Sequence, residues 1–237
     1  MIDGKVVAVI IPAFNEQNSV GKVVRDLPDR VDHIIVVNNN SADQTAAQAQ
    51  AAGAVVLDEP RQGYGYACLK GIDYLQAMPT TEQPAIIVFL DADYSDYPEE
   101  LPQVVAPILQ DNKDMVIGSR ALGDREKGAM LPQQVFGNWL ATRLIRLFYG
   151  VRFTDLGPFR AIKWDKLQAL HMRDKTYGWT VEMQIKAAKK RYACTEVPVR
   201  YRKRIGQSKV TGTVKGTIGA SYKILATIFT HIFTKDE

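Results

Sequence analysis

The chain has 237 residues, 46% of them apolar and 24% charged, which suits one α/β domain with a proper core and is short for two. Its net charge of +4 is too small to point to nucleic acid, and no apolar run is long enough to span a bilayer. Residues 1–5 lead straight into a strand-like stretch, so no signal peptide is expected, and the isolated Cys68 and Cys194 fit a reducing, cytoplasmic setting.

Five apolar runs in the first half read as buried strands: residues 6–11, 34–37, 54–57, 86–90 and 115–117. Their continuous Val/Ile/Leu character fits strands covered on both faces, as in a mostly parallel sheet with crossover helices. Ser41 followed by Gln44 predicts a capping box for an Ala-rich helix that stops at Gly53. Pro98, with Glu99 and Glu100 behind it, and Pro132, with Gly150 beyond, predict two further helices. Residues 153–162 and 194–201 read as strands, and 180–190 as a helix.

From 213 to 233, Val214, Ile218, Tyr222, Leu225, Phe229 and Phe233 recur at helical spacing. The boundaries expected are 1–212 for the main domain and 213–237 for an amphipathic C-terminal helix. That helix either packs on the protein or lies on a membrane surface, here the inner face.

Asp91-Ala92-Asp93 directly follows the fourth strand. Open α/β sheets bind their ligands at the carboxyl ends of strands, and hard divalent cations take oxygen ligands. Alternation along extended chain lets Asp91 and Asp93 face one side and bridge a metal to phosphates. The other strand ends supply Pro12-Ala13-Phe14-Asn15-Glu16, then Asn38-Asn39-Asn40-Ser41, and Gly118-Ser119-Arg120. Gly63-Tyr64-Gly65 permits close backbone approach to a ligand, but it follows the third strand and lacks the third glycine of a dinucleotide fingerprint.

Ten Lys/Arg and one acid, Glu196, lie between Lys186 and Lys215, a local field suited to phosphates or an anionic surface. Arg202, Arg204 and Lys209 flank Gly206-Gln207-Ser208, a loop able to close over phosphates or simply to be solvated. Glu182 stands at a helix start, where it could deprotonate an acceptor or merely complement the dipole.

In this order and spacing the motifs resemble glycosyltransferase family 2, over roughly residues 6–222. The branch most similar holds dolichyl-phosphate mannosyltransferase and polyprenyl-phosphate glucosyltransferases. The resemblance implies a GT-A fold: a Rossmann-like, mostly parallel sheet flanked by helices, with a C-terminal acceptor-side extension. It implies that Pro12, Phe14 and Glu16 contact the nucleoside, and that Val37 and Asn39 cradle base and ribose. By the resemblance Asp91 and Asp93 would hold Mg²⁺ or Mn²⁺, with Ala92 lining the donor. By the same resemblance Arg120 would stand near the transferred sugar and phosphates, Arg204 and Lys209 would hold the diphosphate, and Glu182 lies near where many inverting members keep their acidic base. The sequence departs from the family at Asn38-Asn39, where Asp-Asp is usual. It lacks a basic residue in 131–136, and Thr154-Asp155-Leu156-Gly157-Pro158-Phe159 replaces Asp-x-Thr-Ser-Gly-Phe. Asp155 then either faces the acceptor or partners an arginine.

The expectation is therefore a metal-dependent inverting hexosyltransferase using a nucleotide sugar, UDP-glucose ahead of GDP-mannose, with a lipid-phosphate or hydroxyl acceptor, possible peripheral membrane contact and no nucleic acid. A sugar-phosphate nucleotidyltransferase needs a glycine-rich, arginine-containing loop after the first strand, which residues 12–16 do not supply. A non-catalytic binding member of the same fold stands as the other alternative.

Overall fold

The computed structural model describes residues 1–206 and 214–234. Its strands are β1 (Val7–Ala13), β2 (His33–Asn38), β3 (Val55–Asp58), β4 (Ile86–Phe89), β5 (Met115–Ser119), β6 (Arg160–Lys163) and β7 (Cys194–Pro198). The helices are α1 (Val20–Arg25), α2 (Thr45–Ala51), α3 (Tyr64–Gln76), α4 (Leu101–Gln110), α5 (Pro132–Tyr149), α6 (Trp164–Leu170), α7 (Trp179–Lys189) and α8 (Val214–Phe233).

One sheet runs β3-β2-β1-β4-β6-β5-β7. Every pairing is parallel except the two made by β6. Side chains of β1 alternate between two cores. Ala8 and Ile10 point into one, with Leu75, Phe89, Ile145 and Trp179. Val7, Val9 and Ile11 point into the other, with Val20, Val104 and Leu101. Both faces are thus dry, which is why the strand reads as an unbroken apolar run. Burying a side chain such as Ile10 or Ile11 stabilises the fold by about 1.5–3 kcal/mol.

The reversed β6 arranges the rim. Arg160, its first residue, pairs beside Phe89 at the end of β4 and Ile117 near the end of β5. The loop entering β6 therefore arrives at the same edge as the residues leaving β4 and β5. β7 runs parallel to β5, with Pro198 beside Ser119, so the segment after it also reaches this edge.

Local expectations fare unevenly. Pro132 opens α5, the Leu131 N–H donates to Gln134 Oε1 at 2.7 Å, and Gly150 closes the helix at φ +73°. Ser41 caps nothing: α2 starts after Gln44, and the Ser41 hydroxyl accepts the Asn15 N–H instead. Pro98 opens a 3-10 turn ahead of α4, and Glu99 and Glu100 pair with Arg200. Of 153–162, only the end is strand. Residues 154–155 instead give their N–H groups to the Glu196 carboxylate, and the buried Phe153 and Leu156 produced the misleading apolar pattern.

The tail forms the expected helix. α8 packs on α5 through a Phe148–Phe229 ring contact at 5.5 Å, and the Tyr149 hydroxyl donates to the Ile228 carbonyl. Among the described residues no helix is long and apolar enough to cross a membrane.

Candidate active site

The ends of β1 and β2 are laced together. Asn15, at φ +53°, accepts the Ala42 N–H on its side chain, and the Glu16 N–H donates to Thr45 Oγ1 at 2.7 Å. This turns Glu16 inward, where its carboxylate accepts from Ser19 Oγ at 2.9 Å and pairs with Arg204 at 2.6 Å.

Asn39 is buried, and its amide is fully used. Its Nδ2 donates to the Glu59 and Arg61 carbonyls, and its Oδ1 accepts the Gly63 N–H at 2.8 Å. The residue shapes the wall of the site by holding the 59–63 turn. Val37 does not reach the site at all. It is fully buried in the core with Ile10 and Ile35, so its expected contact with base and ribose is corrected.

Gly63 and Gly65 let α3 start against the 174–175 backbone. A Cβ would stand 2.2 Å from the Lys175 carbonyl oxygen at Gly63 and 2.0 Å from that of Asp174 at Gly65. The glycines serve contact between two walls rather than approach to a phosphate.

Asp91, Ala92 and Asp93 leave β4 into a cavity of about 460 Å³. Pro12, Phe14, Glu16, Asn39 and Arg204 share its lining. Asp93 Oδ1 accepts the Ser95 N–H and hydroxyl at 2.9 and 2.5 Å, while Oδ2 lies 3.1 Å from Arg204. Asp91 Oδ1 is buried with no hydrogen-bond partner. Burial, then the charge of Asp93, pushes the Asp91 carboxyl up to about 7. An orphaned carboxylate oxygen beside a second carboxylate fits a hard divalent cation. No cluster of three or more His, Cys, Asp or Glu forms a ready cage among the described residues. Two carboxylates with the remaining positions left to phosphate and water is how Mg²⁺ is usually held.

A second cavity of about 290 Å³ also reaches Asp91. Arg120, Gln133, Leu156, Trp179 and Ile224 line it. Tyr64, Asp91 and Tyr177 line both spaces. Arg120 makes a two-pronged contact with Asp155, at 2.8 and 2.7 Å, and its guanidinium stacks 5.0 Å from the Tyr201 ring. Burial would raise the Asp155 carboxyl, but Arg120 holds it below the usual range. Asp155 is thus an arginine partner.

Glu182 lies elsewhere. Its carboxylate pairs with Lys186 at 2.7 Å and accepts the N–H groups of Arg173 and Asp174. It lines neither cavity that Asp91 lines, so the expected base is corrected to a buried structural anion. Lys209 falls outside the described residues.

Motif reading missed Asp96, Tyr177 and Arg160. Asp96 has both carboxylate oxygens buried without partners, and burial followed by Asp91 raises it well above the usual range. Arg160 is fully buried and donates to the carbonyls of Leu156, Gly157 and Thr180, fixing the turn that carries Asp155. Only Asp96, three residues past Asp93, left a trace in the sequence.

The family model for glycosyl transferase family 2 matches residues 8–170. The chain belongs to glycosyl transferase family 2. An uncharacterized glycosyltransferase of Mycobacterium tuberculosis is 32% identical to this family member over 217 residues, covering 91% of this chain and 94% of the other. The undecaprenyl-phosphate mannosyltransferase of Micrococcus luteus is 28% identical over 223 residues, covering 89% of each chain. Among solved structures, glucosyl-3-phosphoglycerate synthase from M. tuberculosis, in complex with Mn²⁺, UDP and phosphoglyceric acid, aligns with a TM-score of 0.76. At 22% identity over 99% of this chain and 81% of that one, this likeness carries the fold, which is GT-A. The chain is a glycosyltransferase.

Proposed function

We propose that this glycosyltransferase moves a hexose from a nucleoside diphosphate sugar, with inversion, to an acceptor bearing an anionic oxygen. The observation that carries the reading is the position of Asp91, which lines both cavities. A donor lying along Pro12, Phe14 and Asp93 presents its sugar at the wall where the second cavity begins.

Asp91 and Asp93 would hold Mg²⁺ or Mn²⁺. When bound, the metal supplies positive charge to the departing diphosphate. Arg204, 3.1 Å from Asp93, adds fixed positive charge on the same side. Phe14 and Pro12 offer apolar surface to the nucleoside. The acceptor oxygen forms its bond to the anomeric carbon as the bond from that carbon to the diphosphate oxygen breaks. The electron pair leaves with the nucleoside diphosphate.

The second cavity favours an acceptor that needs no base. Asp91 is the sole Asp or Glu among the residues described as lining it, and Glu182 is engaged elsewhere. A phosphate oxygen is already a nucleophile at neutral pH, whereas a hydroxyl needs its proton removed. The mannosyl and glucosyl transfers named for relatives support a hexose, and UDP in the solved neighbour supports UDP-glucose ahead of GDP-mannose.

The test is a panel of UDP- and GDP-sugars with Mn²⁺ or Mg²⁺, read by thermal shift and by transfer to phosphate-bearing and hydroxyl acceptors. Asp93→Ala is expected to lower transfer by on the order of 10²–10³, with the fold retained by circular dichroism. Unchanged turnover in that variant overturns the assignment.

A further inference from the structure

We propose that the paired faces of α5 and α8 form a docking surface for an anionic phospholipid bilayer. The two helices lie side by side and run the same way. Gln133 and Gly137 of α5 share a cavity with Ala220 and Ile224 of α8, and farther along Phe148 meets Phe229.

Each helix turns an apolar stripe outward. On α5, Phe136, Trp139 and Leu147 are 61%, 50% and 73% exposed at spacings of three and eight residues. On α8, Ile218, Tyr222 and Phe229 are exposed at spacings of four and seven. Large side chains at such spacing would normally be turned inward, whereas here they stay in water on both helices. Phe136 and Trp139 touch, with ring centroids 5.8 Å apart.

The charge pattern selects the partner. The chain carries 26 Asp and Glu, yet neither α5 nor α8 contains one. Arg143 and Arg146 punctuate the apolar stripe of α5, and the Arg143 guanidinium lies 5.7 Å from the Trp139 ring centre. An indole beside a guanidinium, on a pair of helices that carry no acid of their own, matches the headgroup level of an anionic membrane; the one acid the structure brings to α8, Asp174, is paired with Lys223 at 2.9 Å. Neither helix is long and apolar enough to cross the bilayer, so the surface lies on it.

Docking also has a geometric consequence. The cavity that contains Arg120 and Asp91 is lined by α5 and α8 themselves, so it would open next to the lipid. That consequence rests on the transfer proposed above; the docking does not.

Vesicle flotation of the purified chain, without donor or acceptor, tests it. Vesicles of mixed phosphatidylglycerol and phosphatidylcholine should carry the protein, pure phosphatidylcholine should carry far less, and added salt should release it. Phe136→Ser with Trp139→Ser should weaken binding by at least roughly tenfold. Arg143→Gln with Arg146→Gln should abolish the preference for the anionic lipid. Nucleotide binding, which involves none of these side chains, should not change in either variant, and circular dichroism should show the fold retained in both. Binding that ignores both pairs of substitutions overturns the proposal. So does a stable soluble dimer, by light scattering, that forms through Trp139 and leaves vesicles alone.

Discussion

Arg204 places one guanidinium nitrogen 3.1 Å from Asp93 Oδ2, across 111 positions of sequence, and so holds positive charge where the metal of a donor complex is proposed to sit. The same guanidinium also pairs with Glu16 at 2.6 Å. A cation entering this corner must share Asp93 with a resident one.

Arg204→Ala should therefore act in opposite directions on two measurements. Mn²⁺ affinity without nucleotide should rise several-fold by titration calorimetry, because a competing charge has gone. Transfer should fall by about 10–10²-fold, because the leaving diphosphate loses a fixed cation. A fall in both would mean that Arg204 organises the carboxylates rather than competes at them.

Asp91 gives a pH signature. Its folded carboxyl titrates at about 7 against an ordinary 3.8, so the folded chain holds the proton more tightly than the unfolded chain. Stability is then lost as pH rises from about 4 through about 7. Asp91→Asn removes that titration. The metal-free variant should melt higher than the parent at about pH 8, by roughly 2–4 °C for each kcal/mol recovered, and the advantage should vanish near pH 4. Transfer should be lost at every pH.

Glu182→Gln should cost stability without costing chemistry. It weakens a buried ion pair and two N–H contacts, so a loss of roughly 1.5–3 kcal/mol is expected by chemical denaturation. Turnover per folded molecule should stay within a factor of about two of the parent. A drop of kcat by two orders of magnitude, with stability retained, would restore Glu182 as the base.

Asp155→Ala strands Arg120, a buried guanidinium with a two-pronged carboxylate partner. Breaking such a pair costs about 3–5 kcal/mol, to be read as a lower denaturation midpoint at unchanged slope.

The positions of the first five strands along the chain, and of Asp91 and Asp93 just past the fourth, were legible in the sequence because both depend on local pattern; the order of those strands in the sheet was not. A strand dry on both faces is an apolar run, and a rim residue follows directly on it. The residues that lock the site were legible only in part: an arginine partner was one of two readings of Asp155, but which arginine was not. Arg120 finds Asp155 only because β6 is reversed, and Arg160 bonds carbonyls, which leave no mark on side-chain composition. Glu182 misled for the same reason. Its position at the start of α7 is visible, but the N–H groups of Arg173 and Asp174 that claim it come from a loop whose path is set by tertiary packing.

Asn39 bears on how this member could have diverged. Its amide gives two N–H bonds to carbonyl oxygens of Glu59 and Arg61. An aspartate there, usual in the family the motifs resemble, would set a carboxylate against both oxygens. The single exchange Asn39→Asp is therefore closed unless the turn from 59 to 63 is rebuilt with it. The amide and the turn are bound together as an epistatic pair, and this wall can be inherited or redesigned only by changing them as one unit.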